Sequence, residues 1–198
     1  MSYNIGNYVV YCSKEICRIE SKVKKCFNGV DETEYFKLIP IRTKNSSYYI
    51  PCNNCESKVR NLLTKEEIYS LIDEMPEAET QWCEDKNTRK NIFNSVLRSD
   101  DYHQIISMMH TLYIQQENQR LKGKKLLAAD ERMMQDAEHL IHQEFAFVLG
   151  IEEDQIGNFI TERIKDKIFL YGDEDYNINI ILKKMEILAK RFGVKVFC

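Results

Sequence analysis

Glycine and proline are scarce in this chain, at 7 and 3 of its 198 residues. That scarcity excludes collagen-like and Pro/Gly-rich low-complexity architectures, and 43% hydrophobic content is that of a globular protein. A surplus of positive charge is also missing: 28 Lys and Arg face 31 Asp and Glu, for a formal net charge of −3. Free-standing, non-specific nucleic-acid binders carry a broad basic field, so that class is excluded. Long apolar runs are absent, and stretches such as Ala146 to Ile151 fall far short of the roughly 20 residues a membrane helix needs. The opening Met1 to Gly6 has no basic n-region and no apolar h-region, so a soluble cytoplasmic protein is expected. Seven cysteines, odd in number and irregular in spacing, read as reduced thiols rather than a disulfide framework. No Gly-rich phosphate loop, nucleophile elbow or metalloprotease motif occurs, and nothing places a base beside a Ser or Cys. The chain reads as a non-enzyme without a cofactor.

What is present is unevenly distributed. Residues 1–70 hold 11 basic and 8 acidic side chains, net +3; residues 71–151 hold 9 and 14, net −5; residues 152–198 hold 8 and 9, net −1. The front third is electrostatically distinct from the middle, as expected if the two face different partners.

The first sixty residues read as strands. Tyr8 to Tyr11 is a short β-rich run, and Ile16 to Cys26 a longer one that stops at Asn28-Gly29. Asn-Gly is a hairpin signal because a type I′ turn needs positive φ at both central residues. Tyr35 to Ile41 would be the return strand, and Tyr48 to Ile50 a last short strand after the Asn45-Ser46-Ser47 turn. So many short strands in so few residues point to a small, strongly bent barrel of the SH3 or Tudor type.

From Thr64 the apolar period becomes 3.6. Thr64 with Glu67 makes a capping box opening a helix with Ile68, Leu71, Ile72 and Met75 on one side, ending at Pro76. Thr80 is expected to cap a second helix carrying Ile92, Phe93, Val96 and Leu97. Ser99 would cap a third, striped by Tyr102, Ile105, Ile106, Met109, Leu112 and Tyr113 and broken by Gly123. A fourth follows Asp130 and stops at Gly150. The tail reads as two helices joined by residues 171–175, the second running from about Ile181 to Phe192. The expected organisation is α+β: a small N-terminal SH3/Tudor-like β-barrel (1–60), an all-α helical domain (61–158) and a helical C-terminal extension (159–198).

The single tryptophan is the most informative residue. At about 100° per residue Trp82 would point the same way as Phe93 and Val96, yet Asp85, Lys86 and Arg89 occupy the turns between. Trp82 thus extends beyond its helix's buried stripe, with Lys86 and Arg89 behind it. An aromatic wedge backed by cations suits the edge of a nucleic-acid groove, where apolar side chains enter a base step. The competing reading is a Trp packed on the first helix or the barrel.

Several stretches together carry a resemblance. Tyr3-Asn4-Ile5-Gly6-Asn7-Tyr8-Val9-Val10-Tyr11, the Asn28-Gly29 hairpin, Glu34-Tyr35-Phe36-Lys37-Leu38, and Tyr49-Ile50-Pro51 with Asn54 come first. Gln81-Trp82 with Arg89-Lys90, Lys124-Lys125-Leu126, Asp130-Glu131-Arg132-Met133-Met134, and Glu144-Phe145-Ala146 with Leu149-Gly150-Ile151 follow. In order and spacing, over about residues 1–155, they resemble the CarD family of bacterial transcription regulators, whose N-terminal domain is shared with the transcription-repair coupling factor. The resemblance implies a Tudor-like domain docked on the RNA polymerase β subunit. It also implies a helical domain at the upstream edge of the promoter bubble, whose Trp wedges into the minor groove and helps hold the open complex. By position, Lys25 falls where relatives have a basic polymerase-contacting residue. Trp82 falls on the wedge, and Lys86, Arg89 and Lys90 are left to contact phosphates. A monomer that partners polymerase and promoter DNA, and no membrane, is implied.

This chain also departs from the family. Tyr49 stands where some relatives have a polymerase-contacting Arg, and Leu127 replaces a Ser before the fourth helix, leaving Asp130 as a weaker cap. Cys83, Glu84 and Asp85 make the surroundings of Trp82 less basic, and residues beyond about 160 have no counterpart. Two other readings remain: a protein-interaction adaptor that does not touch DNA, and a metal- or redox-responsive regulator using the Cys-rich front. Cys52-x-x-Cys55 with Cys12 and Cys17 would be the thiolates of such a site, though their spacing is irregular. His139 and His142 share a helix face but lack a third ligand at helical spacing, so they read as ordinary imidazoles.

Overall fold

The computed structural model describes residues 3–26, 32–43 and 45–171, the last five as helix backbone only. The chain divides into two compact units, Met1–Leu62 and Leu63–Cys198. The expected Asn28-Gly29 turn and the second tail helix lie outside the described residues.

The first unit is an antiparallel sheet of β1 (Tyr8–Tyr11), β2 (Glu15–Lys25), β3 (Thr33–Pro40), β4 (Tyr48–Pro51) and β5 (Val59–Asn61), in the order β4-β3-β2-β1-β5. Alternation decides its faces. Val9, Cys17, Ile19, Phe36, Leu38, Ile50 and Val59 turn to one side and bury against Tyr3 and Cys55. Each fully buried aliphatic there contributes about 1.5–3 kcal/mol. A register shift between Ile19 and Ser21 resets the alternation. Val23 therefore pairs with Tyr35, and Lys37 with Tyr49, on the other face.

Strand β5 escapes the sequence reading because three residues leave no period to detect. The expected closed barrel is corrected to an open sheet. Its curl brings Tyr48 of β4 onto Tyr11 of β1, three strands away, with ring centroids 4.6 Å apart. Tyr48 Oη also donates to Glu15 Oε2 at 2.7 Å. Even so, β4 and β5 are edge strands that do not pair with each other.

The second unit contains α1 (Lys65–Glu74), α2 (Lys86–Val96), α3 (Tyr102–Leu121), α4 (Ala128–Leu149) and α5 (Ile156–Tyr171). Thr64 and Glu67 form the expected capping box. Gly123, at φ +67°, ends α3 as expected: its N–H donates to Arg120 O and the Lys124 N–H to Gln119 O, a Schellman closure. Ile68, Leu71, Ile72, Phe93, Ile105, Leu112, Met134, Ile141 and Phe145 are among the residues of one shared core. Ile156, Ile160 and Ile164 of α5 belong to that core too, so the expected division at 158/159 falls inside a helix packed on it. Among the described residues, no helix is long and apolar enough to cross a membrane.

Three helix starts differ from expectation, two of them through the identity of the cap. Asp85 rather than Thr80 caps α2, accepting from Thr88 N–H at 2.8 Å. Asp101 rather than Ser99 caps α3, accepting from Gln104 N–H at 3.1 Å, while Ser99 Oγ donates to Val96 O. In both cases the carboxylate accepts a free N–H of the first turn and also places negative charge at the positive end of the helix dipole. Helix α4 starts at Ala128 from an Leu127 cap without a side-chain bond, which places Asp130 inside its first turn.

Candidate functional site

The residues singled out in the sequence fall in two places, one in each unit. In the first unit, Lys25 ends β2 and Tyr49 lies on β4. Their side chains meet across β3, with Lys25 Nζ 3.8 Å from the Tyr49 ring centroid. Lys37, paired with Tyr49 in register, stands on the same face and bonds Glu20 Oε2 at 2.6 Å. The bond from Lys25, then that from Ser47, holds the Tyr49 phenol below its ordinary range. The two candidate docking residues therefore form one cation–phenol pair on a half-buried sheet face rather than two separate contacts.

In the second unit Trp82 is not helical. Residues 78–85 form a strap ahead of α2, so the 3.6-residue projection from Trp82 to Phe93 does not apply. The indole is half-buried, packed on the edge of the helical core and partly open to solvent. Helix α3 pins the strap upstream of it. Ser107 Oγ donates to Glu79 O at 2.7 Å, Thr111 Oγ1 accepts from Gln81 N–H at 3.0 Å, and His110 Nδ1 lies 2.8 Å from Ala78 O. These three side chains share one helix face by their spacing of three and four.

Downstream, the strap is held by Arg89. The sequence reading puts Arg89 among the cations facing DNA; the structure buries it, 2% exposed, with its charge turned inward. Its Nε and Nη2 donate to Asp130 Oδ1 and Oδ2 at 3.0 and 2.7 Å, and its Nη1 to Cys83 O and Glu84 O at 2.6 and 3.2 Å. The guanidinium carbon lies 4.0 Å from the Trp82 ring centroid. A buried bidentate pair resists loss of either partner, typically by about 3–5 kcal/mol. Asp130, read as a weak cap, is the anchor of this pair. Nothing in the sequence linked it to Arg89, 41 residues away. Lys86 and Lys90, by contrast, are exposed on α2 as expected. Lys122, Lys124 and Lys125 are exposed in the turn before α4, a cluster the site reading passed over.

Among the described residues, no group of three or more His, Cys, Asp or Glu side chains is gathered to hold a metal ion. Cys17 and Cys55 belong to the first unit's core, and burial pushes the Cys17 thiol up to about 12, against the thiolate form that metals bind. His139 is exposed, whereas His142 is half-buried.

No protein-family model matches this chain, and no curated protein matches it.

Proposed function

We propose that this chain is a non-enzymatic bacterial transcription regulator of the CarD type, acting in the cytoplasm. Its first unit, read as a Tudor-like module with an incompletely closed sheet, attaches to the RNA polymerase β subunit through the Lys25–Tyr49 face. The second unit sets Trp82 into the minor groove at the upstream edge of the promoter bubble and helps hold the open complex. Exposed Lys86 and Lys90, joined by the lysines before α4, make the phosphate contacts; Arg89 does not.

One observation carries the reading: a half-exposed Trp held on a pinned strap, next to exposed lysines. An indole that enters a base step must keep one edge open to solvent, and half-buried Trp82 does so. The net charge of −3 suits a protein delivered to DNA by its partner and needing few cations there.

The test is open-complex lifetime on a linear promoter. Trp82→Ala is expected to shorten it roughly tenfold, the equivalent of about 1.4 kcal/mol, while polymerase binding survives. An unchanged lifetime with intact polymerase binding turns the reading into that of an adaptor that does not touch DNA. Failure of the chain to be retained on the β subunit would remove the docking half.

A further inference from the structure

We propose that Arg89 is a positioning residue for Trp82: fixed by Asp130, its guanidinium clamps the strap and sets the indole at the angle in which it meets DNA. This rests on the reading of Trp82 as the DNA-contacting residue, and it assigns Arg89 a role other than phosphate contact.

The geometry uses four of the five N–H donors of the guanidinium. Its edge donates four hydrogen bonds, two to the Asp130 carboxylate on α4 and two to the carbonyls of Cys83 and Glu84 immediately after Trp82. Its flat face is left for the indole, 4.0 Å from the ring centroid. Only a planar group with donors in a fixed fork can fill all three roles at once, so Lys is not an equivalent. The residues it holds need holding: Cys83 and Glu84 lie outside any helix, and their carbonyls accept from Arg89 Nη1, whereas Asp85 O already takes the first backbone bond of α2 from Arg89 N–H. Ser107, His110 and Thr111 secure the other side, so the Trp is flanked by pinned backbone in both directions.

Two consequences follow for the DNA step. A clamped indole has already lost the rotamer freedom that binding would otherwise remove, so more of the contact energy appears as complex lifetime. Because Asp130 neutralises Arg89 in the interior, the pair adds nothing to the attraction for phosphate. Its loss should therefore leave the salt dependence of DNA binding unchanged, whereas loss of Lys86 or Lys90 should lower the salt slope by about one each.

The test uses the full chain with Arg89→Lys, and with Arg89→Met/Asp130→Leu, which removes both charges together and so leaves no unpaired one in the core. Far-UV circular dichroism and cooperative unfolding establish that each variant is folded. Trp82 is the chain's single tryptophan, so its fluorescence reports on the site alone. Both variants are expected to show red-shifted emission and stronger acrylamide quenching. On polymerase they should shorten the open-complex lifetime in the direction of Trp82→Ala, with an unchanged salt slope. Unaltered emission and quenching in both folded variants would overturn the clamp. So would an unaltered lifetime in a variant whose indole has loosened, or a salt slope reduced as for Lys86→Ala. If Trp82→Ala itself leaves the lifetime unchanged, the DNA reading falls, and emission and quenching still decide whether Arg89 positions the indole.

Discussion

Lys25 and Tyr49 lie on strands that do not pair with each other, yet the Lys25 ammonium sits 3.8 Å from the Tyr49 ring centroid, reaching across β3. The contact lowers the proton affinity of the Tyr49 phenol, first through the bond from Lys25 and then through that from Ser47. Lys25→Ala should therefore raise the Tyr49 pKa toward the ordinary 10. A phenol depressed in the folded state contributes stability above its unfolded value of about 10, lost as pH falls through the depressed folded value. A pH titration of carbon-13-labelled tyrosine by NMR reads the shift directly. A Tyr49 resonance that titrates identically in both proteins would show that the pair is not formed in solution.

The turn between β1 and β2 runs through Cys12 at φ +49° and Ser13 at φ +59°. Lys14 N–H closes it onto Tyr11 O at 3.1 Å. Two successive left-handed residues suit a right-handed twisted hairpin, but neither Cys nor Ser prefers that region. Ser13→Gly is therefore expected to stabilise the first unit by about 0.5–1 kcal/mol. Thermal unfolding followed by circular dichroism should show a higher midpoint. The same substitution to Val should lower it, since a β-branched residue is worse still at positive φ.

Much of this architecture is written locally and was legible as such. The change from alternation to a 3.6-residue period at Thr64, the Thr64–Glu67 box and the Gly123 stop each depend on a few neighbouring residues, and each is found in the structure. Sheet closure is different, because whether β4 meets β5 depends on the accumulated twist and curl of five strands. The Trp82 strap was missed because Thr80, Asp85 and the carboxylates beside them all offer plausible caps. Asp85 prevails, with Arg89 drawing the Cys83 and Glu84 carbonyls away from helical pairing. Arg89 itself looked like a surface cation because its partner lies on another helix. A charge can be assigned to the surface from sequence only when no distant carboxylate comes to meet it.

Glu144, 2% exposed, receives the Leu63 N–H at 2.8 Å and the Tyr102 hydroxyl. Leu63 is the first residue of the second unit and leads straight into the Thr64 cap, so this carboxyl fixes where the helical unit begins. Glu144→Ala leaves two donors facing an apolar core and should cost on the order of 3 kcal/mol. Glu144→Gln retains an acceptor for Leu63 and should cost clearly less. Urea unfolding at constant m separates the two. Equal losses would mean that shape rather than hydrogen bonding is what Glu144 supplies.

His142 is a titrating group of the second unit that the fold holds half-buried. It lines a small apolar cavity with Met75, Met109, Ile141 and Ile160, facing His110 and Tyr113 of α3, with Glu138 and His139 near it on α4. Burial is the largest influence on it and lowers its pKa. The Glu138 charge opposes that shift and His139 adds to it. The folded state thus binds this proton less readily than the unfolded chain, whose value is the ordinary 6.5. By linkage, stability is complete above about pH 6.5 and declines as pH falls from there through the depressed folded value. His142→Phe, which fills the same apolar site without a titrating group, should flatten that decline when unfolding free energy is measured between pH 7.5 and pH 5. A slope that survives His142→Phe would place the proton uptake elsewhere.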